Sequence, residues 1–452
     1  MKKLICISFI LCILIGSLVG CSSSEGEPYT GPFVPVMRFA VCSDTHIATD
    51  DDLTATRTQN MIEQINQYAQ SGADGYSKLD AFIFDGDITN NGTEEEMRRA
   101  HEIITGALME DTKLVITSGN HEWQTLEQNS KKTFENIFGE NCTMQDTVIG
   151  GYHFITLRLG LGWDYTSKYS KSVEKLIEAA IADTGKTKPI FIVQHIGNEK
   201  TVIGTSMAAD EAGLAGMITA SKKLSELYTK YENLVVFSGH THFPVNDECS
   251  VWQGDYTAIN TGTLYHCMRS IAGNVWIEMD GRLSHAQAHI VEMDAHGRMR
   301  LMTWDILQGK IVGDEKLIPS FKKENFVYTT DRFTGNELFF AENAAITITE
   351  QTANSVTFSY PVVPKASISG RAYEIQLLDA SGNVVSTKYQ SFDYFNEDFD
   401  KILSNAFDNL QPDTDYKISI RALNSLYSED VLSEGTLSSN AITVEFKTGK
   451  AE

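Results

Sequence analysis

The chain has 452 residues, of which 42% are hydrophobic and 21% charged, and its formal net charge is −23. This length allows two or three domains, and the balance of apolar and charged residues is that of a globular protein. The negative charge repels phosphate backbones, so we expect no general nucleic-acid binding. It does not exclude a small phosphate-containing substrate, because bound metal ions would set the local field.

The N-terminus has the layout of a secretory signal peptide. Two lysines precede an apolar stretch from Leu4 to Val19, which is short for a membrane span of about 20 residues. The sequence LVGC at 18–21 resembles the lipobox of bacterial lipoproteins. This resemblance implies removal of residues 1–20, a lipid on the Cys21 thiol and a flexible tether over 21–32. We therefore predict an exported protein anchored by its lipid to the bacterial cell envelope; the sequence does not specify which membrane.

Four cysteines lie beyond the predicted lipidation site, at Cys42, Cys142, Cys249 and Cys267. Cys42 belongs to a predicted apolar strand, so we expect a buried thiol. Cys249 and Cys267 could form a disulfide, which sequence alone cannot establish. No pair has the spacing of a zinc knuckle.

From about residue 37 to 305, short apolar runs alternate with helical patterns. One predicted helix covers 93–108, where Thr93 and Glu96 form a capping box. This alternation predicts a sheet with helical crossovers. Successive apolar runs end in Asp, Asn or His, at Asp44, Asp87, Asn120 with His121, His195, and His240 with His242. Active sites gather at the carboxyl ends of such strands, and an apolar core has no need of these groups.

The polar residues at these strand ends are rich in nitrogen and oxygen and lack thiolates. The candidate ligands are Asp44, His46, Asp87, Asn120, His195, His240 and His242. Such a set suits Mn, Fe or Zn, and it is too large for one tetrahedral ion. It suits two divalent ions about 3.5–4 Å apart that share a carboxylate, bind phosphate oxygens and activate a water. Gly239 would let the backbone aim both histidines of the last pair at one point.

These motifs resemble those of the calcineurin-like metallophosphoesterases. The resemblance is carried, in chain order, by Asp44-Thr45-His46, Gly86-Asp87, Gly119-Asn120-His121-Glu122, His195 and Gly239-His240-Thr241-His242. It implies an α/β fold over 33–336, a four-layer α/β/β/α sandwich. It also implies that Asp44, His46 and His242 hold one metal, that Asn120, His195 and His240 hold the other, and that Asp87 bridges them. His121 would contact the phosphate and protonate the leaving oxygen, with Glu122 orienting it.

The sequence differs at several positions from particular branches of the family, which restricts the branches that it resembles. Purple acid phosphatases have Gly where His46 stands and a tyrosine ligand where Asn90 stands, so a tyrosine-ligated ferric site is not expected. Nucleotidases of the family place a bulky aromatic-acid pair where Trp123-Gln124 stands. The layout is closer to the cyclic-nucleotide phosphodiesterase-like and secreted phosphoesterase branches.

Residues that would contact the substrate are less clearly marked. The candidates are Arg57 as a phosphate contact, Asn90 and Asn91 after the second strand, Tyr265 or His266 in the pocket wall, and an aromatic loop at 160–171. Each also has an ordinary interpretation as a turn, core or surface residue. A long polar loop after His195 could act as a lid.

From about residue 343 the hydrophobic pattern changes to period two, as in Val356, Phe358 and Tyr360. We predict an all-β sandwich over 340–448. The stretch that begins at Leu410 and contains Tyr416 resembles the tyrosine-corner region of fibronectin type III modules. A spacer or packing module is the ordinary interpretation, and glycan or partner binding is the alternative.

The favoured hypothesis is an exported, lipid-anchored hydrolase of small phosphoric esters, either diesters or monoesters, that acts through a dimetal-activated hydroxide. One alternative is a catalytically idle surface lipoprotein that binds glycan or protein through its β-sandwich. Another is a nucleotidase-type phosphomonoesterase. The complete ligand set argues against an idle protein, since a non-catalytic chain has no chemical need for it. The sequence leaves the metal, the native substrate and the oligomeric state open.

Overall fold

The structure is a computed structural model that describes residues 28–123, 130–139, 144–158, 167–205, 222–271, 275–278, 285–333, 338–364, 372–391, 401–424 and 437–451. The predicted signal peptide, Cys21, Cys142 and most of the aromatic loop at 160–171 lie outside these ranges, as does part of the proposed lid after His195. Within them, no helix is both long and apolar enough to cross a membrane.

The first domain alternates strands and helices as the sequence predicts. Its described helices are α1 Asp52–Gln70, α2 Glu94–Ala107, α3 Ser130–Phe138, α4 Ser167–Thr184 and α5 Lys222–Tyr228. Its described strands are β1 Pro35–Cys42, β2 Ala81–Asp85, β3 Lys113–Thr117, β4 Gln145–Ile149, β5 Tyr152–Leu157, β6 Ile190–Gln194, β7 Leu234–Ser238, β8 Val251–Gln253, β9 Thr257–Asn260, β10 Met268–Ile271, β11 Val275–Glu278, β12 Gln287–Asp294, β13 Met299–Asp305 and β14 Lys310–Ile318. Thr93 and Glu96 form the predicted capping box at the start of α2.

Two mixed sheets of six strands form the centre of this domain. One has the order β14-β13-β12-β1-β2-β3, with β1, β2 and β3 parallel and the other strands antiparallel. The other has the order β4-β5-β6-β7-β9-β8, in which β5, β6, β7 and β9 are parallel and both edge strands run the opposite way. Strands β10 and β11 pair separately as a hairpin.

The alternation of side chains along β1 shows how the layers are built. Phe39 points between the sheets, where its ring lies 5.3 Å from that of Phe154 and 5.2 Å from that of Phe191. Ala40 and Cys42 point the other way, into a core formed with α1 and α2. A third core packs α4 and α5 on the outer face of the second sheet. The predicted four-layer α/β/β/α sandwich is therefore confirmed.

The C-terminal region forms two antiparallel sheets. Its described strands are β15 Thr347–Gln351, β16 Ser355–Pro361, β17 Ala372–Asp379, β18 Val384–Ser391, β19 Ile402–Asp408, β20 Asp415–Asn424, β21 Leu437–Ser438 and β22 Ile442–Lys447. One sheet has the order β15-β16-β19; the other has the order β18-β17-β20, and β21 and β22 both pair with β20. Val356 and Phe358 from one sheet share a core with Ile375 and Ile420 from the other. This is the predicted all-β sandwich.

The described cysteines are all reduced and buried. Cys42 is fully buried, as predicted from its strand. Cys249 and Cys267 are free thiols, so the disulfide that the sequence allowed between them is not formed.

Candidate metal centre

The carboxyl ends of strands from both sheets meet at one edge of the first domain. The loop after β1 is tied to the loop after β2, because the Asp44 amide donates to the Gly86 carbonyl at 3.1 Å and the His46 amide to the Asp87 carbonyl at 3.0 Å. The loop after β1 is also tied to the second sheet, because the His240 amide donates to Asp44 Oδ2 at 2.9 Å. Residues far apart in the chain are thereby brought together.

The backbone at this edge adopts an unusual conformation. The residues concerned are Asp44, His46, Asp87, His240 and His242, whose φ angles lie between 46° and 67°. A left-handed conformation at a residue other than glycine costs roughly 1–3 kcal/mol and persists where the surrounding structure enforces it. These loops therefore hold backbone strain at the positions that the sequence marks as ligands.

Two glycines allow the loops to approach each other. Gly86 has a φ of 82°, and a Cβ there would lie 2.6 Å from the ring of His195. A Cβ at Gly239 would lie 1.9 Å from Ser43 Oγ. Gly239 has no left-handed φ, so the residue is needed for space and not for the conformational freedom that the sequence suggested.

Two carboxylates lie at the centre of a group of imidazoles. Asp44 Oδ1 is 3.0 Å from His242 Nε2 and 3.8 Å from His46 Nε2. Asp87 Oδ2 is 3.1 Å from His195 Nε2 and 3.8 Å from His46 Nε2. All five side chains are buried or nearly so.

The ligand atoms fall into two groups that share one residue. The atoms of Asp44, His46, Asp87 and His242 lie within 4.8 Å of one another, and so do those of Asp87, His195 and His240. Asp87 belongs to both groups, which is the arrangement expected of a bridging carboxylate.

Asn120 joins this cluster next to Asp87. It follows Gly119, where a Cβ would lie 2.2 Å from Asp87 Oδ1. It precedes His121, whose backbone amide donates to the same oxygen at 2.8 Å. The structure therefore gathers all seven predicted ligand residues at one edge.

The chemistry of these atoms fits a divalent metal. Asp44 Oδ1, His46 Nε2, Asn120 Oδ1 and His195 Nε2 are buried, and within the described part of the chain they have no hydrogen-bond partner outside the cluster of candidate ligands. Leaving a buried polar atom unsatisfied costs about 1–3 kcal/mol. Coordination to a cation would satisfy these atoms together, and imidazole with carboxylate and amide oxygen is a ligand set that Mn, Fe and Zn accept.

Backbone carbonyls fix the imidazole rings. His195 Nδ1 donates to the Asp85 carbonyl at 2.7 Å, and His242 Nδ1 donates to the His266 carbonyl at 3.0 Å. Because a carbonyl only accepts, each Nδ1 carries the proton and each Nε2 is directed into the site. This is the arrangement that a metal-binding histidine requires.

Residues 37–244 match the family model described as calcineurin-like phosphoesterase. All seven ligand residues lie in this span. The first domain is a calcineurin-like phosphoesterase domain.

Other comparisons add little to this assignment. A search of curated proteins gives no significant match. Among solved structures, a computationally redesigned β-sandwich protein is 18% identical over 24% of this chain and 88% of its own, with a TM-score of 0.17. Astrotactin-2, a vertebrate-specific membrane protein, is 16% identical over 26% of this chain and 22% of its own, with a TM-score of 0.20. The sensor domain of the anti-sigma factor RsgI4 of Pseudobacteroides cellulosolvens is 24% identical over 24% of this chain and 77% of its own, with a TM-score of 0.16.

The carboxylates and imidazoles of the phosphoesterase domain shift each other's pKa. Burial alone would raise the pKa of Asp87, but the charge of His195, followed by those of His121 and His46, holds it below its usual range. Burial lowers the pKa of His195, but Asp87 and Asp44 outweigh it and raise this pKa to about 10. A metal ion at His195 would therefore compete with a proton, which would make its affinity pH-dependent.

His121 lies beside the ligand groups at the mouth of the site. Its side chain is 24% exposed, and its Nε2 is 3.9 Å from Asp87 Oδ2. Its Nδ1 donates to the Asn90 carbonyl at 2.6 Å. Its ring stands edge-on to that of His46 at 4.3 Å. A substrate can reach this nitrogen, whereas the other ring nitrogen is occupied.

The hydrogen-bond partners of Glu122, which the family resemblance expects to orient His121, are backbone and side-chain groups of the neighbouring loops. Its Oε1 accepts hydrogen bonds from the Thr89 amide and hydroxyl, both at 2.9 Å, and its Oε2 accepts one from the Gly119 amide at 2.6 Å. Burial, followed by the charge of Asp87, raises the pKa of Glu122 to about 7. The group that contacts the His121 ring directly is the Asn90 carbonyl, whereas Glu122 contacts the backbone of the two loops.

Arg57 was predicted as a possible phosphate contact, and this prediction is wrong. The side chain is 3% exposed, and its Nη1 donates to the carbonyls of Leu264 and Tyr265 at 2.9 Å each and to that of His285 at 3.3 Å. The guanidinium is therefore occupied in supporting the backbone of residues 264–265, behind the ligands.

Tyr265 and His266 lie against two of the candidate metal ligands. The ring of Tyr265 stacks on that of His46 at 4.6 Å with an interplanar angle of 25°. The ring of His266 lies 4.6 Å from that of His242. Both residues are half-buried, so they form part of the wall of the site, as the sequence suggested for one of them.

The turn after β2 is occupied by local contacts. The Asn91 amide and side chain both donate to the carboxylate of Glu96, at 2.9 and 2.7 Å. Asn91 therefore helps to begin helix α2, and its side chain is not a phosphate contact. Thr89 lies two residues earlier and contacts Glu122. The sequence does not indicate this role, because no motif or periodicity distinguishes a threonine in a turn.

Proposed function

We propose that this protein is an exported, lipid-anchored, metal-dependent hydrolase of phosphoric esters. One observation carries the proposal: side chains from the ends of strands in both sheets converge around Asp87, and in the described part of the chain the buried ligand atoms of Asp44, His46, Asn120 and His195 have no hydrogen-bond partner outside this cluster. Keeping such atoms buried is costly unless a cation binds them. An idle binding protein would have no reason to bear that cost.

Two divalent ions, of Mn, Fe or Zn, are the proposed cofactors. Asp44, His46 and His242 would hold one, Asn120, His195 and His240 would hold the other, and Asp87 would contact both. When bound, such ions lower the pKa of a water so that it can attack phosphorus, and they stabilise the charge that develops on the phosphoryl oxygens.

His121 is the proposed general acid. Its Nδ1 is held by the Asn90 carbonyl, so Nε2 is the nitrogen that faces the substrate. As the bond from phosphorus to the leaving oxygen breaks, the proton on Nε2 passes to that oxygen. A positioned general acid contributes about 10²–10⁴-fold to the rate.

The substrate is proposed to be a small phosphoric ester. Tyr265 and His266 would border the part of it that lies outside the metal centre, since their rings flank His46 and His242. Diesters, monoesters and nucleotides all remain within this class. A nucleotidase-type activity is therefore one possible outcome of the assay below.

The location and the role of the second domain are further proposals. A lipid on Cys21 would hold the protein at a bacterial membrane, and Cys21→Ser should release it from the membrane fraction. An unchanged membrane location in that variant would contradict the proposal.

The fibronectin type III likeness of the sandwich is supported by the Tyr416 hydroxyl, which accepts a hydrogen bond from the Gln411 amide at 3.2 Å. We propose that it is a spacer or packing module.

The experiment measures hydrolysis of 4-nitrophenyl phosphate and bis(4-nitrophenyl) phosphate by metal-stripped protein with added Mn, Zn or Fe(II). We expect metal-dependent turnover that is lost in His240→Ala. His101→Ala, in helix α2 and outside both ligand groups, is the matched control and should keep it. The diester-to-monoester ratio then defines the substrate class. A folded wild-type protein that binds no metal would contradict the proposal and favour the idle surface lipoprotein.

A further inference from the structure

The two loops that carry Asp87 and His121 are joined by one buried carboxylate. Glu122 is fully buried and accepts two hydrogen bonds from Thr89, through its amide and its hydroxyl, and one from the Gly119 amide. All three partners are donors, so they require an acceptor at both oxygens of the Glu122 side chain.

The Glu122 carboxylate binds residues close to both the donor and the acceptor of the hydrogen bond that fixes the His121 ring. The acceptor of that bond is the carbonyl of Asn90, which directly follows Thr89. The donor residue lies two positions after Gly119. Thr89 and Gly119 are held by opposite oxygens of Glu122, so the spacing between the two loops depends on these contacts.

Neither Thr89 nor Glu122 can touch a substrate. Both are fully buried, whereas the His121 side chain is 24% exposed. Any effect of the two buried residues on the reaction must therefore pass through groups that they position. The nearest such group in the hydrogen-bond network is the imidazole held by the Asn90 carbonyl.

We propose that Thr89 and Glu122 form a buried brace that sets the position of the His121 ring, and that Thr89 is a positioning residue for proton transfer to the leaving group. This inference rests on the proposed function. Through the brace (Thr89 with Glu122), the orientation of His121 that the family resemblance assigns to Glu122 would be transmitted by Thr89 and the Asn90 carbonyl.

If the brace positions His121, its loss should affect the two esters differently, whereas a purely structural role would affect both alike. In the reaction, the oxygen of a hydroxide ion forms a bond to phosphorus, the bond to the leaving oxygen breaks with its electron pair, and the proton of His121 Nε2 joins that oxygen, so that a neutral alcohol leaves and His121 becomes neutral. A 4-nitrophenolate leaves without this proton because it is a stable anion, whereas an ethoxide needs it. Displacement of the imidazole should slow the ethyl ester selectively.

The experiment compares ethyl and 4-nitrophenyl esters, in whichever ester series the wild-type protein turns over, with the full purified chain. Thr89→Val removes the hydroxyl and keeps the shape; Thr89→Ala replaces it if the valine variant is unstable. We expect kcat for the ethyl ester to fall about 10–100-fold, as for a misplaced catalytic group, and kcat for the nitrophenyl ester to fall less than about threefold. Thr89→Ser should restore both rates.

The matched control is Thr112→Val. Thr112 is also buried, and its hydroxyl donates to the Leu79 carbonyl at 2.9 Å just before β3, at the opposite end of that strand from the site. This variant should leave the ratio of the two rates unchanged. In a His121→Ala background, Thr89→Val should cause no further loss with the ethyl ester, because both substitutions then act on the same step.

Two results would overturn the inference. An equal loss with both esters in Thr89→Val would mean that Thr89 acts on the metal ligands or on the fold. An unchanged rate with the ethyl ester would mean that the hydroxyl positions nothing. If the wild-type protein turns over neither ester with any metal, the proposed function itself fails, and this inference with it.

Discussion

The metal-binding edge of the phosphoesterase domain and the core of the C-terminal sandwich treat buried groups in opposite ways. The edge keeps left-handed residues at Asp44 and Asp87, and several of its candidate ligand atoms have no hydrogen-bond partner outside the cluster in the described part of the chain. In the described part of the sandwich, left-handed non-glycine residues occur only in turns, at Asn409 and Asp413, and the buried unsatisfied side-chain atom is the Tyr360 hydroxyl. The sandwich core largely avoids these costs, and the edge accepts them where the proposed cation would bind.

This difference shows where function lies in the molecule. Residues that break local rules without an evident structural gain are expected at functional sites. Five of the nine left-handed non-glycine residues in the described part of the chain lie at this edge, whereas buried unsatisfied side-chain atoms also occur elsewhere in the phosphoesterase domain. Substitutions at the edge should therefore change activity more than folding, and substitutions in the sandwich should do the reverse.

The largest effect is expected for Asp87→Asn. This residue belongs to both ligand groups, so its loss should weaken both metal positions. We expect kcat/KM to fall at least about 1000-fold, because metal ions supply several kcal/mol of transition-state stabilisation and each tenfold in rate corresponds to about 1.4 kcal/mol. Asp111→Asn, at an exposed turn, is the control for a changed carboxylate. Wild-type activity in Asp87→Asn would contradict the shared site.

In the sandwich, Ile420→Ala should have the opposite profile. Ile420 is fully buried, and truncation of such a residue costs about 2–5 kcal/mol. We expect a lower denaturation midpoint for the sandwich and an unchanged kcat/KM at temperatures where it remains folded. Ile402→Ala, on a side chain that is 60% exposed, should change neither quantity. Loss of turnover in folded Ile420→Ala would show that the two regions are not independent.

A third prediction concerns the folding stability of the phosphoesterase domain in acid, which depends on a histidine between its two sheets. His289 on β12 donates from Nε2 to the Asn260 carbonyl at the end of β9, at 2.9 Å, and burial lowers its pKa from 6.5 to about 4. Below pH 6.5 the unfolded chain binds a proton that the folded chain excludes until about pH 4, so stability falls as the pH drops through this window. Protonation of His289 lowers the free energy of unfolding by at most about 3 kcal/mol.

Urea unfolding of metal-free protein at pH 7 and at about pH 4.5 tests this prediction. The loss of stability on acidification should be smaller in His289→Gln than in the wild-type protein, since glutamine keeps a donor but does not titrate. An equal loss in both proteins would mean that His289 does not contribute to the acid sensitivity of the domain.

The smallest effect is expected for Tyr416→Phe in the sandwich. The substitution removes the hydroxyl that accepts from the Gln411 amide. Gln411 is exposed, so water can replace the lost partner, and we expect a cost of about 1 kcal/mol with unchanged turnover. Chemical denaturation measures it, and an unchanged midpoint would show that this hydrogen bond does not stabilise the corner.

The features that the sequence predicts well are those with a local cause. Asp44 and Asp87 could be found because each follows an apolar strand, and the carboxyl ends of parallel strands meet at one edge. The capping box at Thr93 needs only residues three apart. The sandwich could be predicted because its buried residues alternate with exposed ones along each strand.

The features that the sequence does not predict depend on partners that are distant in the chain. Arg57 contacts carbonyls more than 200 residues away, and no local pattern distinguishes a buried structural arginine from one that binds phosphate. Glu122 lies next to His121 in sequence, yet it contacts Thr89 in another loop. In both cases the choice of partner is made by the packing of the loops.

The proposed function requires one edge of the phosphoesterase domain to hold two divalent ions that share Asp87. Equilibrium dialysis of the purified protein against Mn²⁺, followed by metal analysis, tests it most directly. We predict two ions per wild-type chain and one per chain in His242→Ala, since that side chain belongs to only one of the ligand groups. Fewer than two ions in the wild-type protein, or two ions retained in His242→Ala, would contradict the claim.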